Sequence, residues 1–248
     1  MTPEEKLAKE DKRIHAIDIF NTGLIMHISE IKSSGYSYFC PTPSIPALYL
    51  NISLKSLKEL RSILQSKYNG AKLNRLFITR ADEYPSCPDL RLPEDERIFY
   101  DCIELYFSHV IFSYTALESF ANEVIANSHN EKINQNPNNK VQIEEESLVM
   151  QRHSLRDKLK NDLPQILNRP MLHTQQDLWN KFNKLEGIRG NLIHFKSNYF
   201  QKQADSPCLN DFIAFITKKT SDYTIDVCEI MRYFISNTRR WLREFPYS

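Results

Sequence analysis

The stretch QQDLWNKFNKLEGIRGNLIHFK, residues 175–196, decides how the rest of the chain is read. Placed at about 100° per residue, Leu178, Trp179, Phe182, Leu185, Ile188, Leu192 and Ile193 fall on one broad apolar face, so the spacing predicts an amphipathic helix. Arg189 falls near the middle of that face. A guanidinium there needs a partner, because an isolated buried charge costs several kcal/mol. His194 points well away from Arg189, about 140° round the helix by helical geometry, and shares its side with Gly187 and Gly190. The chain holds five glycines in all. Each of these two should cost the helix roughly 1 kcal/mol against Ala, a penalty that predicts the close approach of another surface.

The 248 residues suffice for one large domain or two small ones with a real core. A hydrophobic share of 41% and a charged share of 25% are those of an ordinary globular chain. With a net charge of +1, no global field points to nucleic acid, and any such surface has to be a local patch. Five scattered cysteines, an odd number with no C-x-x-C pair, suggest reduced thiols and a cytoplasmic setting. No apolar run reaches the length of a membrane span, and the charged start MTPEEKLAKEDKR is not that of a signal peptide. Neither G-x-G-x-x-G nor a Walker-type phosphate loop is present.

Taken in order, residues 3–31 begin with helix signals: Thr2 as a cap, Pro3 in the first turn, and Glu4 and Glu5 favouring the dipole. The later part, RIHAIDIFNTGLIMHI, stays open between helix and strand. Residues 33–46, with three prolines, read as a loop, and ALYLNI (47–52) as a short strand. Ser53 then caps a helix whose stripe is Leu54, Leu57, Leu60, Ile63 and Leu64, stopped by Gly70. RLFITR (75–80) resembles a second short strand, and a proline-rich stretch at 84–93 marks a boundary. From Glu94 the chain runs to Asn127 without Gly or Pro and is apolar almost all round, as a central buried helix is. Glu118 on that helix needs a partner just as Arg189 does. The asparagine-rich residues 128–139 read as a loop, 144–161 as a more polar helix, 207–217 as a short helix and 221–244 as the last helix. Arg232, Arg239, Arg240 and Arg243 read as its solvated face.

Motifs for metalloproteases, α/β-hydrolases and clustered metal ligands are absent from the sequence. His109 and Cys102 on the buried helix read as a core histidine bonded to a carbonyl and a small apolar residue. Arg189 and His194 differ, because their chemistries complement each other at a phosphate. Imidazole takes a proton from a 2′-hydroxyl and, once charged, gives one to a leaving oxygen. Guanidinium holds the phosphate and stabilises the charge building on its oxygens. Asn191 adds an amide able to orient phosphate or ribose. This chemistry calls for no cofactor and no metal. Such a pair lines a pocket at a helix edge or where two copies of the helix pool their residues, which points to a homodimer.

The segment Arg189-Gly-Asn-Leu-Ile-His194 resembles the R-x4-6-H motif of HEPN-domain proteins. Trp179, Phe182, Leu185 and Ile188 lead into it as the family's helix does, and YTALESFANEVI (114–125), with Glu118 in its Leu-Glu pair, is similar to the preceding long helix of many members. Where the family often carries Asn, Asp or His after the arginine, this chain has Gly190. The resemblance covers roughly residue 93 to the end. It implies a mainly α fold: a HEPN-like bundle of four to five helices over 93–248, with an N-terminal extension, 1–92, able to hold a small two-stranded element. It further implies a metal-independent endoribonuclease of antiviral defence or toxin–antitoxin growth control. Arg189, His194 and Asn191 would be catalytic at a dimer interface, supported by Glu118, Gly187 and Gly190. RNA is the implied substrate, products end in 2′,3′-cyclic phosphate, and an antitoxin or defence-system protein is a further expected partner. The alternative is a non-catalytic HEPN-like module that dimerises and binds RNA or protein.

Overall fold

A computed structural model describes residues 16–19, 23–26, 28–41, 44–67, 93–193, 207–218, 222–235, 242 and 245. The architecture over these residues is mainly helical. Strands β1 (Ala16–Ile19) and β2 (Gly23–Met26) pair antiparallel, with Ala16 opposite Met26. Strands β3 (Ile28–Ser33) and β4 (Tyr36–Pro41) form a second hairpin, with Ser33 opposite Tyr36. The second hairpin corrects the loop expected at 33–46. Ser34 and Gly35 turn the chain at φ 51° and 81°, the doubly positive geometry that matches strand twist in a two-residue hairpin. The aromatic residues beside that turn suit strands, and Pro41 ends the second one.

Helix α1 (Ile45–Lys67) absorbs the strand expected at 47–52. Pro46 sits in its first turn, where a missing N–H is harmless. Ala47, Leu50, Leu54, Leu57 and Leu60 are buried at helical spacing along it. Ser53 is therefore an interior residue, not a cap. Its hydroxyl donates to the His109 carbonyl at 2.8 Å, while Ser113 Oγ and His109 Nδ1 each lie 2.8 Å from it. His109 belongs to α2 (Pro93–Gln135), the 43-residue helix at the centre. The histidine is fully buried, stacked on Tyr223 at 5.4 Å and near Phe215 at 5.9 Å, as expected of a core histidine.

Burial holds His109 down to about 4, against a weaker upward pull from Asp222. The unfolded state therefore binds the extra proton first. Stability should be full above the ordinary histidine value near 6.5 and fall as pH drops from there through about 4. The loss amounts to about 3 kcal/mol at 1.36 kcal/mol per unit. Urea unfolding at stepped pH should show this slope, and His109→Gln should flatten it; an unchanged slope in the variant would place the acid sensitivity elsewhere.

Of the asparagine-rich loop expected at 128–139, Pro137–Asn139 form a short 3-10 turn, and residues 128–135 are instead the end of α2, which continues to Gln135. No Gly or Pro interrupts it before Pro137, and His129, 1% exposed, ties its Nδ1 to the Ile125 carbonyl at 2.7 Å. Helix α3 (Lys140–Arg152) follows. The long polar helix expected over 144–161 breaks at His153 and Ser154, both extended. Ser154 accepts from the Asp157 N–H at 3.1 Å and so caps a new start. The chain continues through α4 (Leu155–Asp157), a π-helical turn (Lys158–Asp162) and α5 (Leu163–Leu167). Helices α6 (Gln176–Ile193), α7 (Pro207–Lys218) and α8 (Tyr223–Ile235) complete the described part. Arg232 is not on a solvated face: it donates to the Leu242 and Phe245 carbonyls at 3.0 and 3.2 Å. Arg239, Arg240, Arg243 and the strand expected at 75–80 lie outside the described residues.

Buried side chains of α1, α2, α6, α7 and α8 form one continuous core. Among the described residues, no helix is long and apolar enough to cross a membrane.

Candidate functional site

Phe182, Leu185 and Ile188 are the buried stripe of α6, with Leu178, Trp179 and Leu192 packed at its margins. Ile193, expected on the same face, is 47% exposed. Polar anchors fix the helix on both sides. Lys181 pairs with Glu229 and, at 3.4 Å, with Asp226 on α8. Lys184 lies 5.5 Å from the Tyr223 ring. On the other side Arg156 of α4 donates to Glu186 at 3.0 Å and to Asn183 at 2.9 Å, while stacking over Trp179 at 5.1 Å and Phe182 at 5.4 Å.

Arg189, set by its spacing within the apolar stripe, is partly buried. Its guanidinium lies 4.9 Å from the Tyr114 ring centroid, within the range of cation–π attraction. No ion pair joins it to Glu118, the other charged residue that needed a partner. Arg189 has no hydrogen bond or ion pair among the described residues. Tyr114 and Glu118 are one turn apart on α2. Arg189 meets the first, whereas Glu118, partly buried, acts electrostatically on Lys158 of the π-helical turn.

Tyr114 is 8% exposed. Burial first, then Glu186, push its phenol up to about 12, against Arg189, so it stays protonated. Lys158 was not legible as a site neighbour, because a lysine in a polar helix reads as solvated. It is 1% exposed, and its ammonium donates to Asn122 Oδ1 and the Gln151 carbonyl, both at 2.7 Å. Burial lowers its pKa, while Glu118 and Asp162 act against that shift. The flanking apolar residues Leu155, Leu159 and Leu163, all buried, are the one sequence signal that this segment turns inward.

Asn191 is exposed and donates to Asp211 on α7 at 3.4 Å. Burial raises the Asp211 carboxyl, and the amide works against it. A Cβ built on Gly187 or Gly190 would meet nothing within 4 Å. No contact among the described residues therefore requires either glycine. His194 lies outside the described residues. Among the six residues singled out from sequence, Arg189 meets Tyr114, Glu118 stands one turn along α2 from that tyrosine, and Asn191 faces α7.

The two arginines of the site differ in one respect. Both lay a face on aromatic rings, but the N–H edge of Arg156 is filled by Glu186 and Asn183. The edge of Arg189 is vacant among the described residues. Arg156 is thus bound into the fold, whereas the N–H donors of Arg189 have no acceptor among the described residues. Among the described residues no three His, Cys, Asp or Glu side chains cluster to hold a metal ion. Comparison with family models, with curated proteins and with solved structures found no match to this chain.

Proposed function

We propose that the protein is a HEPN-like, metal-independent endoribonuclease that works as a cytoplasmic homodimer in antiviral defence or growth control. The observation that carries this reading is the vacant N–H edge of Arg189 in the R-x4-H sequence. His194, as neutral imidazole, takes the proton of a ribose 2′-hydroxyl. The 2′-oxygen attacks the adjacent phosphorus, and the bond to the 5′-oxygen breaks. The imidazolium returns its proton to that oxygen, leaving a 2′,3′-cyclic phosphate and a 5′-hydroxyl. Arg189 holds the phosphate oxygens as their charge grows. Asn191 assists at ribose or phosphate after leaving Asp211. The open space over Gly187 and Gly190 supports approach of a second copy along this helix.

The test is cleavage of mixed cellular RNA by purified protein in EDTA. The expected result is cutting with cyclic-phosphate ends. Silence transfers weight to the second reading, a non-catalytic HEPN-like module that dimerises and binds RNA or a protein such as an antitoxin. Gly190, standing where the family often has a polar side chain, favours that module.

A further inference from the structure

We infer that the ring face of Tyr114 positions the Arg189 guanidinium for an oxyanion, making Tyr114 a positioning residue of the candidate site. This rests on the reading of that site given above. The Arg189 guanidinium has no carboxylate partner among the described residues. A site arginine is commonly aimed by a carboxylate that accepts two of its N–H groups. Glu118 and Glu186 both act on Tyr114, so both lie in this neighbourhood. Neither bonds to Arg189: Glu186 is taken by Arg156, and Glu118 acts on Lys158.

A carboxylate would in any case neutralise the charge and fill the donors that a phosphate needs. A ring face does neither. It attracts the cation through its quadrupole, sets the plane of the guanidinium and leaves the edge N–H groups free. The ring itself is held, being 8% exposed on the central helix α2. Its phenol stays neutral, so no phenolate forms to compete with an incoming anion.

Arg156 supplies the internal control. It stacks on two rings at similar distances, yet its edge is committed to α6, and its role is to join helices. Stacking alone therefore does not make an anion site; stacking with a vacant edge does.

The test uses the full chain and inorganic phosphate as the probe, which separates this inference from RNA cleavage. Phosphate is titrated while the Arg189 Nε–Hε NMR signal is followed. The proteins are the wild type, Tyr114→Phe, Tyr114→Leu, and a series with increasingly fluorinated phenylalanine at the same position. Tyr114→Phe should keep both the ring-shifted signal and the phosphate affinity. Tyr114→Leu should lose the ring shift and weaken phosphate about tenfold, the scale of a partly desolvated cation–π contact. Fluorination should weaken it stepwise, because it draws charge off the ring face at nearly constant shape. A space-filling role gives no such gradient, and the series decides the question even where Tyr114→Leu fails to fold. Equal affinity across the fluorinated series overturns the inference, as does a wild-type Arg189 signal that ignores phosphate. A protein with the graded response that cuts no RNA keeps the positioning role and loses the ribonuclease reading.

Discussion

Arg189→Ala is expected to lower the rate of RNA cleavage by about 100- to 1,000-fold, the loss seen when one preorganised donor to a developing oxyanion is removed. The side chain is partly buried, so its truncation leaves a small void beside Tyr114, but no hydrogen bond or ion pair among the described residues is broken. Stability should therefore change little while activity collapses. Arg189→Lys is the sharper variant. It keeps the charge but replaces a planar fork with a point charge, and most of the loss should remain. Arg156→Ala should behave in the opposite way. It strands Glu186 and uncovers Trp179, lowering Tm while the folded fraction keeps its kcat. His194→Ala should match the Arg189→Ala loss or exceed it, since a general acid–base group contributes about 100- to 10,000-fold. Steady-state cleavage alongside thermal melts separates these outcomes. Equal kcat for Arg189→Ala and wild type would remove Arg189 from the chemistry.

Phe182→Ala should be the most damaging core substitution on α6. Phe182 is fully buried, 5.2 Å from the Trp179 ring and beneath the Arg156 guanidinium. Truncation removes its transfer energy and leaves a cavity between α6 and the rest of the core, costing about 3–5 kcal/mol. At roughly 2–4 °C per kcal/mol for a chain of this size, Tm should fall on the order of 10 °C. The same change frees one support of Arg156, so the junction of α4 with α6 should loosen together with the core. Denaturant midpoints measure the loss. A cost under about 1 kcal/mol would mean that α6 closes over the gap, and that its packing does not hold Arg189 in place.

Much of this helical frame follows from local rules. The apolar periodicity of α6 and of α2 is strong enough to be read without tertiary context, and the buried stripe of Phe182, Leu185 and Ile188 lies where that periodicity puts it. Cys102 and His109 are core residues for the same reason: they sit on a helix that is apolar all round. Local reading failed where short-range signals compete. ALYLNI has strand-forming residues, but its apolar spacing continues into α1, and packing on α2 favours the helix. The asparagines after residue 127 suggest a loop, yet one buried histidine and the absence of Gly or Pro before Pro137 let α2 run on.

What the sequence by itself determined is the pairing of Arg189 and His194 in one short segment and the need of Arg189 and Glu118 for partners. Which partners they found was settled by tertiary structure alone. A helical wheel gives the direction of a side chain round its own axis, not the height at which a neighbouring helix meets it. That height puts Arg189 level with Tyr114, and it turns the charge of Glu118 toward Lys158, one helical turn further along α2. Lys158 stands between Leu155 and Leu159 on the buried side of its segment, and its ammonium is met there by the Asn122 amide oxygen and the Gln151 carbonyl. Those partners come from α2 and from the end of α3, and no period along the segment of Lys158 encodes where other helices meet it.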